Sequence, residues 1–172
     1  FNNFLKLDCE KNLGIILILG LIFLTIVSYV SIFFLPHNFL FNSIIFCIGL
    51  IFFLFNYKNT NKLNFAIFLA SIVFIGMVIS KTHDDFAFYH FQQSISFTRS
   101  KIMFGMSNLD FSYAKHSSLL YLNSLFYLPY FKYYFFNAPN QIFLTAIILS
   151  FYIYAYNDEN HSFLRIFSFA SI

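Results

Sequence analysis

Residues 13–35 read LGIILILGLIFLTIVSYVSIFFL, an apolar run without a charged side chain. Such a run can cross a bilayer, which needs about 20 helical residues for a hydrocarbon core about 30 Å thick. It is too long for the apolar part of a signal peptide, and no small-residue cleavage site follows it. The run therefore predicts a first membrane-spanning helix, which ends at the turn formed by Pro36, His37 and Asn38.

Apolar intervals of similar length continue along the chain, separated by polar turns. We predict further spans at 39–55, 63–80, 117–136 and 141–156, and the beginning of another at 162–172. The composition agrees, with 59% hydrophobic and 10% charged residues, whereas soluble proteins carry about 25% charged residues. The predicted fold class is all-α: a polytopic transmembrane helix bundle that forms a single membrane domain.

The two ends of the chain suggest a longer protein. The first residue is Phe1 rather than methionine, and the last apolar run, 162–172, stops at Ile172. As a helix that run would rise only about 16 Å, roughly half of a hydrocarbon core. We therefore expect the chain to be the N-terminal fragment of a polytopic protein with more spans.

Charge and cysteine content limit the classes of partner. The net charge of +3 is small and spread over the loops, which does not predict nucleic-acid binding but suits anionic lipid headgroups or phosphate ligands. Cys9 lies in the polar lead and Cys47 inside an apolar run, so no disulfide is expected. Membrane lipids are the expected partners, and no sequence feature fixes an oligomeric state.

The distribution of lysines predicts an orientation. The N-terminal lead and the turn at 56–62 each carry two lysines, whereas the turn at 36–38 carries none. Because cytoplasmic loops are enriched in Lys and Arg, we expect a cytoplasmic N-terminus and an external loop at 81–116. Arg99, Lys101 and Lys115 lie inside that loop, and these cations count against an external position for it.

The loop 81–116 is the one long polar interval of the chain. Within it, Phe88, Phe91, Ile95 and Ile102 recur with helical spacing between polar residues. This pattern predicts a juxtamembrane amphipathic helix that lies in the membrane interface rather than crossing it.

Asp84 and Asp85 open this loop, and they have two explanations. Asp is a preferred helix cap, and carboxylates are favoured at a helix N-terminus. Alternatively, paired carboxylates in a partly dry cleft raise each other's pKa, and one can then take a proton from an attacking hydroxyl. The residues alone leave both explanations open.

Arg99 and Lys101 are candidates to bind an anionic leaving group such as a lipid phosphate. Each could instead extend toward lipid headgroups without a specific ligand. His83, Asp84 and His90 form an alternative set of ligands for a divalent metal, although their spacing matches no zinc pattern. No metal residue is therefore assigned.

Residues 82–131 read THDDFAFYHFQQSISFTRSKIMFGMSNLDFSYAKHSSLLYLNSLFYLPYF. Together with the preceding apolar helix, this stretch resembles the first external loop and the following helix of GT-C-type glycosyltransferases, in particular their uncharacterised bacterial multi-spanning branches. Those proteins place an acidic pair directly after a membrane helix, followed by a juxtamembrane helix with a Tyr-His pair and a loop that contains glycine. The resemblance covers 63–136. In the family the acidic loop commonly follows the first membrane helix, whereas two further spans precede it here.

The resemblance implies a function and a site. A loop acid would act on the acceptor, and the donor would be a sugar linked to polyprenyl phosphate in the cytoplasmic (inner) membrane, for assembly of surface glycans. Asp84 and Asp85 would be catalytic, with Tyr89 and His90 as helpers at the substrate. Two other functions remain open: a transporter or flippase of lipid-linked sugars, and a non-catalytic membrane scaffold in which the acids only cap a helix.

Overall fold

A computed structural model describes residues 13–56, 63–79, 90–105, 108 and 117–155, and the structural statements below concern these residues. The helices are α1 (Leu13–Ser31), α2 (Phe39–Asn56), α3 (Leu63–Ile79), α4 (Phe91–Arg99), α5 (Ser118–Leu125) and α6 (Ala138–Ala155), with a 3-10 helix at Tyr133–Phe135. Within the described ranges the one extended pairing is an isolated bridge between Leu128 and Lys132. The predicted all-α class is therefore confirmed for this part of the chain.

Membrane-length helices are present among the described residues. α1 and the segment Tyr133–Tyr154 are long and apolar enough to cross a bilayer, and shorter apolar helices lie at Phe39–Phe55 and Asn64–Ile75. These helices indicate that the chain associates with a membrane. The complete polytopic bundle stays a prediction.

The single helix predicted across 117–136 is wrong. α5 has 8 residues and ends at Leu125, so it rises about 12 Å, less than half of the hydrocarbon core. Pro129 explains part of the interruption, because proline disfavours helical backbone at the residue before it and has no N–H to donate. The chain turns after α5 instead of continuing across the membrane as one helix.

α6 corresponds to the span predicted at 141–156, but it begins earlier, at Ala138. Pro139 is its second residue, and proline is well accommodated in a first helical turn because the N–H there has no partner within the helix. The 18 residues of α6 rise about 27 Å, close to the thickness of the hydrocarbon core.

The chain divides into two compact units. The first consists of Phe1–Leu21, Tyr57–Ile79 and Asn140–Ile172. Within it, the rings of Phe65 and Tyr152 stack with centroids 4.2 Å apart, which joins α3 to α6. α1 meets α6 where Gly14 lies against Ala146 and Ser150.

The second unit consists of Ile22–Asn56 and Ser80–Pro139. Its core is formed by Ile32, Phe97, Leu120 and Tyr121, with Ile102 packed against them. These residues come from the end of α1, from α4 and the segment after it, and from α5. The core therefore joins α4 and Ile102 to the rest of this unit.

Candidate functional site

Half of the predicted site lies in the part of the chain that the structure describes. Asp84, Asp85 and Tyr89 fall outside the described residues, so their assignments stay predictions. His90, Arg99 and Lys101 are described.

α4 separates these three residues into two groups. His90 is the N-cap of the helix and Arg99 is its last residue, so their Cα atoms lie about 14 Å apart along the axis. Lys101 follows Arg99 after one residue, and both cations are exposed, whereas His90 is half-buried. Arg99 and Lys101 thus lie near each other along the chain at the C-terminal end of α4, whereas His90 lies at the other end of the helix.

The loop contains a helix, α4, as predicted, whereas its place in the membrane interface stays a prediction. Its buried face differs from the predicted one. The buried residues are Gln93, Ser94, Phe97 and Thr98, whereas Phe91 and Ile95 of the predicted apolar face are only half-buried. α4 therefore docks onto the protein through a largely polar face.

Contacts with α5 and with the turn between α1 and α2 account for this polar face. The Ser94 hydroxyl donates to the carbonyl oxygen of Leu120 at 3.4 Å, and the rings of Phe97 and Tyr121 lie 4.7 Å apart. On the same face of α4, the backbone N–H of His37 donates to the carbonyl oxygen of Phe97 at 2.8 Å. Hydrogen bonds to carbonyl oxygens thus satisfy the buried hydroxyls of Ser94 and Thr98.

The segment after α4 runs along the C-terminal end of α1. Ser100 is extended, and the backbone N–H of Ile102 donates to the carbonyl oxygen of Ile32 at 3.1 Å. The rings of Phe33 and Phe104 lie 6.3 Å apart. The segment that contains Arg99 and Lys101 is therefore held beside the C-terminal end of α1.

A buried polar cluster lies next to the contact between His37 and α4. It consists of His37, Asn42 and Ser124, each with 0% exposure. His37 Nδ1 lies 2.6 Å from Ser124 Oγ, and the Asn42 side-chain amide donates to the carbonyl oxygens of His37 and Ser124, each at 2.9 Å. The cluster joins the turn after α1, the beginning of α2, and α5.

The hydrogen bonds of the His37 ring indicate which ring nitrogen carries the proton. Ser124 Oγ donates to the carbonyl oxygen of Tyr121 at 2.7 Å, so His37 Nδ1–H is assigned as the donor to Ser124 Oγ. Ser31 Oγ lies 2.8 Å from Nε2 and 3.3 Å from the carbonyl oxygen of Ser28, so its proton is assigned to the nearer acceptor, Nε2. Burial lowers the pKa of His37 to about 4, which keeps the ring neutral at neutral pH. Because the Ser124 proton points to a backbone carbonyl, the pair is not arranged as a serine nucleophile with a histidine base.

Sequence reasoning missed this cluster. It assigns His37 only to a turn and Asn42 only to the interior of an apolar run. A polar side chain within a long apolar run is uncommon and usually has a specific partner, so Asn42 is the available signal. Its partners could not be inferred, because Ser124 is distant in sequence.

A metal site is not tested by the described residues. All Asp and Glu residues of the chain lie outside them, and within them no group of three or more His, Cys, Asp or Glu side chains could hold an ion. Of the alternative metal ligands, His83 and Asp84 fall outside the described residues.

Comparisons with family models, with curated proteins and with solved structures found no match to this chain.

Proposed function

We propose that this chain functions as a GT-C-like membrane glycosyltransferase, which transfers a sugar from a polyprenyl-phosphate-linked donor during assembly of surface glycans. In this proposal the chain is a multi-pass protein of the inner membrane with a cytoplasmic N-terminus. The loop that contains Asp84, Asp85 and α4 faces the outside.

The position of Arg99 and Lys101 carries the proposal. Both are exposed, and the segment that contains them is hydrogen-bonded to the end of α1 through Ile102 and Ile32. Two exposed cations beside the end of α1 suit the phosphate of a lipid-linked donor, and the arginine guanidinium can bind it through two parallel hydrogen bonds.

The proposed reaction assigns a role to each group. The acceptor hydroxyl gives its proton to the Asp84 carboxylate and attacks the anomeric carbon of the donor sugar. The bond between that carbon and the phosphate oxygen breaks, and the polyprenyl phosphate leaves with its negative charge, which Arg99 and Lys101 stabilise. Asp85 adjusts the proton affinity of Asp84, while Tyr89 and His90 help to position the substrate.

The experiment that tests the proposal measures sugar transfer by the full-length protein in vesicles. Asp84→Asn and Asp85→Asn keep the size and nearly all the capping ability of the side chain, but Asn cannot act as a base. At least one of them should insert and express normally and yet lose transfer by about a hundredfold or more. Full transfer in both variants, or no transfer by the intact protein with any polyprenyl-phosphate sugar, would favour the scaffold function.

A second experiment tests the proposed binding of the donor phosphate by Arg99 and Lys101. Arg99→Gln combined with Lys101→Gln should weaken donor binding and raise KM for the donor. Lys132→Gln removes another exposed cation of the same unit and should leave donor KM unchanged. Equal effects of both changes would indicate a general loss of surface charge rather than a site.

Transport of lipid-linked sugars is not favoured by the described helices. Transporters usually hold ionisable side chains within the membrane, but α1, α2, α3 and α6, as far as they are described, contain no Asp, Glu, Lys or Arg.

A further inference from the structure

The turn after α5 exposes an unusual number of aromatic rings. We call residues 129–134 the aromatic turn. The exposed fraction is 96% for Tyr130, 74% for Tyr134, 50% for Phe131 and 39% for Tyr133. Lys132 lies among them and is also exposed.

The backbone of the aromatic turn is strained at two residues. Tyr130 and Lys132 have φ angles of 70° and 46°, a region that residues with a Cβ rarely adopt. Two short hydrogen bonds close the turn: Phe131 N–H donates to the carbonyl oxygen of Pro129 at 2.9 Å, and Lys132 N–H to that of Leu128 at 2.8 Å. Strained backbone of this kind tends to persist at sites of contact with a ligand or partner.

The aromatic turn also has a defined place along the chain. Its last two residues, Tyr133 and Tyr134, are also the first two of Tyr133–Tyr154, one of the two segments among the described residues that are long and apolar enough to cross a bilayer. The end of such a segment lies at the boundary between lipid and water. Tyrosine is enriched at this boundary because its ring is apolar and its hydroxyl is polar, and lysine extends from it toward headgroups.

We propose that the aromatic turn is a membrane-interface anchor. Its partner is the lipid bilayer: the rings of Tyr130, Phe131 and Tyr134 lie at the level where the acyl chains meet the headgroups. The Lys132 ammonium group points toward the phosphates of anionic lipids, whose charge it complements. This inference is independent of sugar transfer, because it uses no residue assigned to the catalytic or donor site.

The depth of residue 130 in the bilayer can be measured, and this measurement tests the proposal directly. The chain contains no tryptophan, so Tyr130→Trp introduces a single fluorescent reporter. The full chain is reconstituted into vesicles of phosphatidylcholine and phosphatidylglycerol, and only protein that floats with the vesicles is measured. The lipids carry bromine either near the carbonyl end or near the methyl end of the acyl chain. We expect the bromines near the carbonyl end to quench the reporter at position 130 more strongly.

Phe23→Trp provides the matched control. Phe23 lies in the middle of α1 and is 65% exposed, so a tryptophan there should be quenched more strongly by bromines near the methyl end. If the reporter at position 130 were quenched by a water-soluble quencher and by neither brominated lipid, the proposal would be overturned. Coincident quenching profiles at positions 130 and 23 would overturn it as well.

The role of Lys132 is tested in the same system. A larger share of phosphatidylglycerol should strengthen quenching of the reporter in Tyr130→Trp by the bromines near the carbonyl end. With Lys132→Gln added, this response should be lost. An identical response with and without the lysine would overturn the part of the proposal that assigns anionic headgroups to Lys132.

Discussion

At the scale of single residues, His37 determines how the elements of the second unit meet. Its backbone N–H bonds to α4, and its ring bonds to Ser124 of α5 and to Ser31 at the end of α1. A neutral ring can satisfy all of these contacts at once. A charged ring would place an uncompensated charge in a site with 0% exposure.

This environment predicts a stability that depends on pH. Burial lowers the pKa of His37 from 6.5 to about 4, so the unfolded chain binds a proton through pH values at which the folded chain does not. The free energy of unfolding should therefore fall as the pH drops from 6.5 to about 4, in total by on the order of 3 kcal/mol. Below that window the contribution of His37 should stay constant. The measurement is the unfolding midpoint in detergent, followed by circular dichroism over this pH range.

His37→Asn is the control for this prediction. The Asn side chain can still donate toward Ser124, but it does not ionise. The variant should be less stable at neutral pH, yet its midpoint should change less between neutral and acidic pH than that of the unchanged chain. Since the other four of the five histidines are present in both proteins, parallel profiles would show that His37 is not the titrating group.

At the scale of the elements, the sequence predicted those helices that apolar composition alone determines. α1, α2, α3 and α6 occupy runs in which nearly every residue is apolar, so their existence followed without knowledge of their neighbours. The buried face of α4 could not be predicted in this way. Gln93 and Ser94 are buried at 1% exposure each, and only the backbone carbonyls of another segment make a serine hydroxyl tolerable there.

The same reasoning explains the error at α5. The residues of 117–136 are apolar on average, which gave the appearance of a span, but Pro129 and the turn that follows determine the local backbone. For the candidate site, the sequence indicated which residues could act, namely the acids and the cations. It could not show that His90 and Arg99 lie at opposite ends of one helix.

A close approach between α1 and α6 gives a prediction at this scale. A Cβ atom on Gly14 would overlap the Ser150 side chain and would lie 2.5 Å from the carbonyl oxygen of Ala146. Gly14→Ala should therefore lower the free energy of unfolding by about 1–3 kcal/mol, measured as the unfolding midpoint of the full chain in detergent.

Gly20→Ala is the matched control on the same helix. A Cβ atom at Gly20 would meet nothing within 4 Å, so this change should leave stability unchanged or raise it by up to about 1 kcal/mol, because alanine favours helix. If both variants behaved alike, the contact of α1 with α6 at Gly14 would not contribute to stability.

At the scale of the whole molecule, the contacts of the second unit restrict the membrane topology. The turn between α1 and α2 is hydrogen-bonded to α4 through His37 and Phe97, so the two must lie on the same side of the membrane. A cytoplasmic N-terminus with α1, α2 and α3 all crossing satisfies this condition, since it places the turn at 36–38 and the loop at 81–116 both outside. α5 has only 8 residues and is too short to cross a bilayer, so in the proposed topology the chain stays on the external side after it.

The last prediction distinguishes the short α5 from a continuous span over 117–136. Single cysteines at Asn59, Ser107 and Lys132, on a background in which Cys9 and Cys47 are replaced by serine, are exposed in whole cells to a thiol reagent that does not cross membranes. Asn59 and Ser107 lie outside the described residues and serve as markers of the two sides, whereas Lys132 is exposed and is the residue of the aromatic turn that we place toward the water. We expect positions 107 and 132 to react and position 59 to be protected. A continuous span over 117–136 would instead protect position 132 together with position 59, and an inverted chain would label position 59 alone. Reaction at 107 and 132 would also place the beginning of α6 on the external side, so that α6 runs from the outside toward the cytoplasm.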